Sequence, residues 1–510
     1  MKLKFIHRNN PTGEGMVNYF KQSWSNVDCY KFEMNGHNYY EISAEQGKDE
    51  MALVLNGIKA SMNSLNHESI EDILALNGIF FIFPGTQPSN RTYEVLLLNM
   101  SVISICQVVY TKTSVNQKYI NEKQVPKVAE LAKKTLNLLG LDYAMVKIST
   151  NGQRKLVVSD INASPTIRDK DLFGLLQIFD EIRNEYKEGQ RQKPEVKLGA
   201  DPEFMIANSI THKMIPASDF FPREGTVGCD NIRVPSRQQR PIAELRPKPD
   251  VSPLVLHANL KMALEQANKL IPYRNIKWLA GSQPFVSYAI GGHIHFSNLE
   301  LNGHITRVLD NYLGLPIFLI ENQQTAVKRR VKYGRLNDFR IKDYGGFEYR
   351  TPGSWLVSSE ISLAVLCLAK LVSSKYVHLH QNLFVSVDAH RAFYHGDTQY
   401  FRPLFEDIWQ DIQKLDSYKN FSQELEIIPR MIRQNQSWDE NIDLRKSWHL
   451  SKIYNKRYTP GKTTIKASVS NTSRNRNQTI SNRRVPNSAS SASRHFPTTS
   501  PTSYNEHYVN

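Results

Sequence analysis

The chain has 510 residues, of which 40% are hydrophobic, 10% aromatic and 22% charged. This composition excludes a wholly disordered chain, and the length predicts two or more domains. The four cysteines, Cys29, Cys106, Cys229 and Cys367, lie far apart without a CxxC pair. They therefore indicate neither a disulfide framework nor a zinc knuckle, and a reducing compartment fits best.

The formal net charge of +15 is unevenly distributed along the chain. Residues 456–510 hold nine basic residues and one acidic residue, a charge of +8, which leaves +7 for the rest. Nucleic acid is therefore expected as a partner only through this tail. Lys370 interrupts the most apolar stretch, Ile361 to Val372, and the apolar part of the N-terminus is too short for a signal peptide. We expect no membrane partner and a cytoplasmic protein.

The first region, residues 1–180, shows a ββαββ order of elements within residues 90–167. The predicted elements are strands at Tyr93 to Asn99 and Val102 to Tyr110, a helix from Pro126 to a stop at Gly140, and strands at Ala144 to Ile148 and Lys155 to Ile161. Asn151 and Gly152 predict a type I′ turn between the last two strands. Proline at a helix start and glycine after its end are typical helix boundaries.

A charged stretch punctuated by glycine and proline, residues 181–195, predicts a linker between domains. Residues 196–400 alternate short strands with helices near 254–271, 305–328 and 359–384, which indicates an α+β domain. Residues 401–455 are predicted to be a C-terminal helical segment, in which 403–438 carry an apolar stripe. The tail, 456–510, is rich in Ser, Thr, Asn and Arg and is predicted to be disordered.

Four strand-like segments of the second region each place two ionisable residues at positions i and i+2. The pairs are Asp201 and Glu203 in GADPEF, Glu244 and Arg246 in AELRP, His293 and His295 in GGHIHF, and Glu348 and Arg350 in FEYRT. Because side chains alternate between the two faces of a strand, each pair shares a face. The flanking apolar residues, which would face a core, are Ile294, Phe296, Leu245, Phe347 and Tyr349. One sheet face is therefore predicted to be rich in acid, imidazole and guanidinium.

Such a face is electrostatically costly unless cations neutralise it, and an oxygen-rich site with few imidazoles suits Mg²⁺ or Mn²⁺. A basic cluster lies nearby in VKRRVKYGRLNDFR, with Lys328, Arg329, Arg330, Lys332, Arg335 and Arg340. Arginines of this cluster could hold phosphoryl oxygens in a bidentate manner. Together the two features indicate phosphate chemistry assisted by a metal ion.

Other interpretations exist for each feature taken singly. Any one pair could be a structural or surface feature, and residues 328–332 could be the solvated end of a helix. The HxH pair of His293 and His295 could also mark zinc. Four repeats of one pattern within about 150 residues favour the functional interpretation.

Together, these motifs resemble the phage-type amidoligases, which are COOH-NH2 ligases of the glutamine synthetase-like fold. The resemblance covers residues 196 to about 375 and rests on GADPEF, CDNIRVPSRQQRPIAELRPKP, GGHIHF and RRVKYGRLNDFRIKDYGGFEYRTPGSWL. It implies a catalytic domain with a curved antiparallel sheet. It also implies transfer of the ATP γ-phosphoryl group to a carboxylate, followed by capture of the acyl phosphate by an amine.

The resemblance also implies roles for individual residues. The metal ligands would be Glu203, Glu244, His293 and Glu348, with Asp201 and His295 beside them. The catalytic residues that face phosphate or the substrate carboxylate would be Arg246, Arg329, Arg330, Arg335, Arg340 and Arg350, of which Arg330 and Arg335, with Lys328, would bind ATP. The partners would be small-molecule or peptide carboxylates and amines, and an oligomer is left open.

Residues 90–167 resemble the C-terminal lobe of an ATP-grasp domain, in which an acidic-x-Asn motif binds magnesium. Here Asp160 and Asn162 occupy that motif, but Lys147 stands where a metal-binding acid is commonly found. Residues 1–89 lack a glycine-rich phosphate loop. We interpret the region as a degenerate ATP-grasp-like module that positions substrate or partner, with a working second ligase site as the alternative.

The sequence therefore predicts an ATP-dependent carboxylate-amine ligase that uses Mg²⁺ or Mn²⁺. The alternatives are an inactive scaffold that retains the ligase folds and a zinc hydrolase that uses His293 and His295. Intact acids in all four strand-like segments argue against the scaffold. The sequence names neither substrate.

Overall fold

The computed structural model describes residues 2–45, 52–83, 91–150, 155–188, 194–452 and 455–459. The predicted turn at Asn151 and Gly152, part of the predicted linker and residues 460–510 of the predicted tail lie outside these residues.

The chain begins with a four-stranded sheet that packs against one helix. The strands are β1 (Lys2–Arg8), β2 (Ser25–Met34), β3 (His37–Glu45) and β4 (Ala52–Leu55), in the order β2-β3-β1-β4, and the helix is α1 (Pro11–Ser23). Asn10 caps α1 by accepting a hydrogen bond from the backbone N–H of Gly13. Phe5, Phe20 and Phe179 pack edge to face in the core beneath this sheet.

A second sheet, entirely antiparallel, follows two short helices. These elements are α2 (Ile58–Asn63), α3 (His67–Leu76), β5 (Arg91–Leu98), β6 (Ser101–Tyr110), β7 (Val115–Tyr119), α4 (Pro126–Leu138), β8 (Tyr143–Thr150), β9 (Leu156–Asn162) and α5 (Asp169–Glu188), with strand order β7-β6-β5-β8-β9. The predicted ββαββ elements are confirmed. The sequence analysis missed β7, whose side chains are all exposed and therefore lack the alternating pattern of a half-buried strand.

The second region contains nine short strands in two sheets. The strands are β10 (Lys197–Ala200), β11 (Glu203–Asn208), β12 (Met214–Ile215), β13 (Val227–Cys229), β14 (Ile242–Leu245), β15 (Ile276–Leu279), β16 (Ile294–Ser297), β17 (Phe339–Ile341) and β18 (Phe347–Tyr349). One sheet has the order β10-β16-β18-β17, and the other the order β12-β11-β14-β13 with β15 also paired to β11. Every pairing within these sheets is antiparallel, which confirms the predicted α+β class.

The four strand-like segments predicted to share one sheet face are divided between these two sheets. The chain passes from one sheet to the other at Asp201 and Pro202, between β10 and β11. Two backbone hydrogen bonds join the sheets there, from Asp201 N to His293 O at 3.3 Å and from Glu203 N to Gly291 O at 2.9 Å. The expectation of one shared sheet face is therefore corrected, because the chain changes sheets at Pro202, which cannot donate to a ladder.

Helices surround these sheets and form the C-terminal part. They are α6 (Pro253–Leu270), α7 (Gly303–Val308), α8 (Leu315–Ile320), α9 (Gln323–Arg330), α10 (Ser359–Lys375), α11 (Val387–His395), α12 (Thr398–Gln413), α13 (Ser422–Leu425), α14 (Ile427–Arg433) and α15 (Leu444–Ser447), with a π-helix at Leu309–Gly314. The predicted continuous helix 305–328 is thus corrected. The Tyr349 hydroxyl donates to Leu309 O at 3.3 Å and lies where a β-carbon of Gly314 would be, which is consistent with the wider π turn.

One hydrophobic core extends through both regions. It includes Val95 and Val146 of the second sheet together with Leu198, Leu260 and Trp355, each 0% exposed. Residues Met1–Thr463 accordingly form one compact unit. The division at residues 181–195 stays a prediction. The predicted core positions are confirmed, since Leu245, Ile294, Phe296, Phe347 and Tyr349 are all buried.

One helix, Ser359–His378, is long and apolar enough to cross a membrane by length and composition alone. Of its most apolar window, 67% is buried inside the protein, as in the core helix of a soluble protein. This feature is weak evidence for a membrane span.

Candidate active site

A cleft of about 250 Å³ lies where the two sheets of the second region adjoin, and acidic side chains line it. Glu203 begins β11, and its Cα atom is paired with that of Glu244 in β14. Asp201 lies two residues earlier, at the join between β10 and β11. Like charges directly opposite each other on neighbouring strands are destabilising. The cleft therefore concentrates negative charge that a pair of ordinary strands would avoid.

The other sheet contributes His293, His295 and Glu348. His293 Nδ1 lies 3.2 Å from Asp201 Oδ1 and 3.3 Å from Glu348 Oε1. His295 Nε2 lies 3.0 Å from the same oxygen of Asp201, and its Nδ1 lies 3.1 Å from the Tyr344 hydroxyl. The structure thus brings together all six residues predicted as metal ligands or their neighbours. Five of them line the cleft, and His295 reaches Asp201 from its edge.

The two glycines of GGHIHF leave the space that this arrangement needs. A β-carbon on Gly291 would lie 2.3 Å from His293 Nε2, and one on Gly292 would lie 2.4 Å from Cδ1 of Trp355. Gly291 N also donates to Glu203 Oε2 at 2.7 Å. The motif therefore positions the imidazole and one carboxylate at the same time.

Burial and crowding shift the protonation of this cluster. Burial raises the pKa of Glu203 to about 7, and burial together with the charge of Asp201 raises the pKa of Glu244 to about 8. Burial opposes the charged form of His293, but the hydrogen bond to Asp201 and the neighbouring carboxylates raise its pKa to about 9. Burial also opposes ionisation of Asp201, yet hydrogen bonds from His293 and His295 hold its pKa well below the ordinary range. At Glu203 and Glu244, burial outweighs the positive charges of His293 and Arg246 that lie near them.

A divalent cation fits this set of donors. Glu348 is 1% exposed, and no hydrogen bond from the described residues reaches its Oε1 atom. Asp201, His295 and Glu348 each present one ligand atom, and these atoms lie within 4.8 Å of one another. Carboxylate oxygens with few imidazoles suit Mg²⁺ or Mn²⁺, and a cation would favour the charged forms of Glu203 and Glu244.

Three cationic side chains surround Glu348. Lys342 Nζ lies 2.5 Å and Arg340 Nη1 lies 3.5 Å from its Oε2 atom, while Arg350 Nε lies 3.7 Å from Oε1. Arg340 is the most exposed of the three, at 57%, and it lines the cleft together with Arg350. These two predicted arginines are therefore placed to meet an anion. Lys342 was not predicted.

Arg330 is corrected by the structure. It is 3% exposed, forms an ion pair with Glu321, and its guanidinium lies 4.8 Å and 4.5 Å from the ring centroids of Phe318 and Phe393. Because Glu321 already neutralises the buried Arg330 guanidinium, this side chain is not available to bind phosphate. Arg330 lies on the face of α9 that packs against the core. The local sequence does not reveal which face of the helix this is.

Two other basic residues of this segment are engaged by the backbone. Arg329 borders the cleft, but its guanidinium donates to the carbonyls of Thr351 at 2.7 Å and Arg350 at 3.0 Å. Arg335 donates to Val331 O at 2.9 Å and lies outside the cleft lining. The prediction that Arg335 faces phosphate is therefore corrected, because its guanidinium caps a turn of its own loop.

The last two predicted residues also lie outside the cleft lining. Arg246 forms an ion pair with Glu244, and its Nη1 donates to Arg223 O at 3.3 Å. Its positive charge is therefore already neutralised within the protein. Lys328 is exposed near the end of α9. Neither residue is placed to bind ATP in the cleft, because Arg246 is held by neighbouring groups and Lys328 lies on the exposed surface of α9.

Three residues that the sequence analysis did not select also line the cleft, namely Asp230, Tyr333 and Asp338. Asp230 directly follows β13 and adds to the charge that raises the pKa values of Glu203 and Glu244. These residues lie in loops, and the search for pairs on strand-like segments therefore did not select them, although Asp338 stands two positions before Arg340. Their presence within the quoted motifs was the available signal.

The N-terminal region contains a second polar cavity, of about 220 Å³, lined in part by Asp160 and Asn162. Lys147 Nζ lies 3.2 Å from Asp160 Oδ2, across the strand pair β8–β9. Asn162 Oδ1 accepts from Ser164 N at 2.9 Å. The ammonium group occupies the neighbourhood of the acid, and this set of donors does not fit a magnesium ion.

Residues 198–450 match the family model described as Phage phiEco32-like COOH.NH2 ligase-type 2. No curated protein matches the chain.

Several solved structures are similar in part. The ATP-grasp ligase PsnB in complex with a minimal precursor is 13% identical over 26% of this chain and 65% of its own, with a TM-score of 0.22. A bifunctional glutathione synthetase from Pasteurella multocida is 12% identical over 52% of this chain and 49% of its own, with a TM-score of 0.34. Glutamine synthetase from Plasmodium falciparum is 10% identical over 74% of this chain and 97% of its own, with a TM-score of 0.27.

The chain thus spans 65% of the PsnB chain and 49% of the glutathione synthetase chain. The family match, in contrast, covers the whole cleft, from Asp201 to Arg350. Residues 198–450, which match the Phage phiEco32-like COOH.NH2 ligase-type 2 family model, thus contribute every acid and imidazole that lines the cleft.

Proposed function

We propose that this protein is an ATP-dependent ligase that joins a carboxylate to an amine through an acyl phosphate. One observation carries the proposal. Five titratable side chains that the family region contributes, Asp201, Glu203, Glu244, His293 and Glu348, converge on one cleft beside Arg340 and Arg350. Acids held at raised pKa values by burial need cations, and phosphoryl transfer uses them.

The proposed reaction has two steps. A carboxylate oxygen of the substrate attacks the γ-phosphorus of ATP, and the bond between that phosphorus and its bridging oxygen breaks, which yields ADP and an acyl phosphate. The amine nitrogen then attacks the acyl carbon, inorganic phosphate leaves with the electrons of the C–O bond, and the nitrogen loses a proton. Positioning and charge neutralisation supply most of what such chemistry requires.

The chain's own residues divide these tasks. The five acidic and imidazole side chains of the cleft would hold Mg²⁺ or Mn²⁺, which neutralise phosphate charge when bound. Arg340 and Arg350 would hold phosphoryl or carboxylate oxygens in a bidentate manner. We propose small-molecule or peptide carboxylates and amines as substrates, and the cytoplasm as the location.

Interception by hydroxylamine tests the acyl phosphate. With ATP, Mg²⁺ and pools of carboxylates present, hydroxamate should accumulate, and mass detection identifies the carboxylate. Arg340→Lys should reduce the rate, because an ammonium cannot reproduce the bidentate fork. Arg391→Lys is a matched control, since Arg391 lies at the surface and pairs with Asp72 and Asp388.

The zinc hydrolase is the second candidate, because Asp201, His295 and Glu348 form a group that could hold one metal ion. Metal analysis of the purified protein separates the two functions. Bound zinc, together with amide cleavage that ignores ATP and stops on removal of zinc, would refute the ligase. An ATP requirement with hydroxamate formation would refute both the hydrolase and the inactive scaffold.

A further inference from the structure

The loop between α9 and β17, residues 331–338, forms one wall of the cleft. Tyr333, Gly334 and Asp338 line the cleft, while residues 335–337 lie outside the lining. Each of those three consecutive residues has one contact, direct or through one intermediate side chain, with the first 180 residues of the chain. The wall is therefore supported from behind by a region that contributes nothing to the cleft lining itself.

Asn137, near the end of α4, makes the most direct of these contacts. Its Nδ2 donates to Oδ1 of Asn337 at 2.8 Å. Asn337 adopts a left-handed backbone with φ of 55° and donates its own N–H to Asp310 Oδ2 at 2.9 Å. Asn137 and Asn337 are 6% and 8% exposed. Removing the Asn137 amide would take this donor from the buried Asn337 Oδ1, whereas the Asn137 amide also contacts Thr306 Oγ1 and Arg307 Nη1.

The two preceding residues of the loop are held in the same way. Leu336 N donates to the Tyr394 hydroxyl at 3.2 Å, which in turn donates to Asn77 Oδ1 at 2.5 Å. The Arg335 guanidinium lies against Gly78, where a β-carbon would be 1.7 Å from Nη1. Asn77 and Gly78 directly follow α3. Residues from α3 and α4 thus hold three successive positions of one catalytic loop.

The next residue, Asp338, transmits the position of the loop to the acidic cluster. Its carbonyl accepts from Arg350 N at 2.9 Å, and its Oδ1 lies 3.9 Å from Arg350 Nε. Arg350 Nε is 3.7 Å from Glu348 Oε1. A shift of the loop therefore moves a carboxylate and a guanidinium relative to a candidate metal ligand. Displacements of about 1 Å at such sites reduce rates by large factors.

We propose that Asn137 is a positioning residue for the ligase site and that the N-terminal region completes the active-site wall through it. The inference rests on the proposed function of the cleft. It assigns the first region a task that needs no nucleotide or metal in its own cavity. Asn137 acts through Asn337 and Asp338 and does not line the cleft.

The test is a double-mutant cycle in the full-length chain. Asn137→Ala removes the donor, and Asn337→Gly removes the acceptor while it tolerates the left-handed backbone. Hydroxamate formation gives kcat and KM, Mn²⁺ titration gives the metal affinity, and amide hydrogen exchange reports on residues 333–340. Asn116→Ala, at an exposed position of β7, is the control.

We expect Asn137→Ala to lower kcat about tenfold, with KM for ATP and the affinity for Mn²⁺ unchanged. Exchange in residues 333–340 should become faster, and the double variant should be no slower than the slower single variant. An Asn137→Ala protein with the kcat and exchange of the unchanged protein would overturn the proposal, as would strictly additive losses.

Absence of turnover in the unchanged protein would refute the proposed ligase instead. The exchange data would still decide whether the contact holds the loop, since they need no activity. Unchanged exchange in Asn137→Ala would then overturn the positioning role as well.

Discussion

Two polar sites of this chain place carboxylates on antiparallel strands, and they are neutralised in different ways. In the N-terminal region, Asp160 faces Lys147 at 3.2 Å, and their side chains are 30% and 39% exposed. In the family region, Glu203 and Glu244 face each other in register, and they are 6% and 9% exposed. The first acid has a cation of its own and water nearby. In the second pair only Glu244 has an arginine beside it, Arg246, and both carboxylates are buried away from water.

This difference shows why only one site calls for a metal ion. An exposed ion pair is nearly neutral in energy, and its acid needs no further partner. Buried carboxylates that crowd together either take up protons or bind cations, as the raised pKa values of Glu203 and Glu244 show. A sequence motif that binds metal elsewhere is therefore not sufficient, because one lysine across the strand pair changes the chemistry.

The largest effect is expected from Glu203→Gln, which removes one charge from the buried site. Steady-state kinetics should show a loss of Mg²⁺-dependent ATP turnover of about 100-fold or more. The folded state should survive, because glutamine can still accept from Gly291 N and no longer carries a desolvated charge. Glu300→Ala, at an exposed position, serves as the control. Retained turnover would remove Glu203 from the proposed metal site and weaken the comparison.

The second test measures how the free energy of unfolding depends on pH, which distinguishes the two sites. Without divalent cations, the free energy of unfolding should fall as pH rises from about 4.5, where the two glutamates begin to contribute, to about 9, where His293 ceases to do so. The raised pKa values of Glu203, about 7, and Glu244, about 8, mean that the folded state holds protons that the unfolded state has already released. The raised pKa of His293, about 9, acts in the same direction, since its stabilisation is present below its ordinary value and is lost on passing through about 9.

Each retained proton contributes a slope of about 1.4 kcal/mol per pH unit within its window. Denaturant unfolding at several pH values, with chelator or with Mn²⁺, measures the effect. Mn²⁺ should remove most of the decline, because it replaces the protons. A pH-independent stability in the presence of chelator would contradict the predicted protonation of the cleft.

The smallest effect is expected from Asp160→Ala and Asn162→Ala in the N-terminal cavity. Total ATP turnover should change by less than about twofold, and the free energy of unfolding by no more than about 1 kcal/mol, because an exposed ion pair contributes little. Turnover assays and denaturant unfolding of the same preparations measure both. A large loss of turnover in a folded Asp160→Ala protein would revive the second ligase site and erase the difference between the two regions.

Local pattern predicted much of the fold and failed at identifiable places. Apart from β7, the elements between Arg91 and Asn162 agree with the prediction because alternating strands, Pro126 at a helix start and Gly140 after its end are local signals. The helix expected at 305–328 widens into a π turn at Leu309–Gly314, where the Tyr349 hydroxyl, from another element, reaches Leu309 O, and it breaks at Glu321 and Asn322. No window around residue 309 contains that information.

The candidate site shows the same division between acids and arginines. The acids and imidazoles selected by the spacing of two residues do meet at the cleft, although one member of each pair lies just outside its strand. The arginines were not predictable, because a long side chain on a helix or loop takes the partner that packing supplies. Arg330 found Glu321, Arg335 capped its own loop, and Arg340 remained at the cleft.

The sequence by itself determined which polar residues lie two positions apart where the short strands begin or end, and the glycines of GGHIHF that leave space for them. Both depend on backbone periodicity and excluded volume within a few residues. Only the tertiary structure decided that the acids come from two sheets, that Lys147 neutralises Asp160, and that Asn137 holds Asn337 from 200 positions away. Such contacts are selected by packing between distant segments, and the free energy that selects them is absent until the chain has folded.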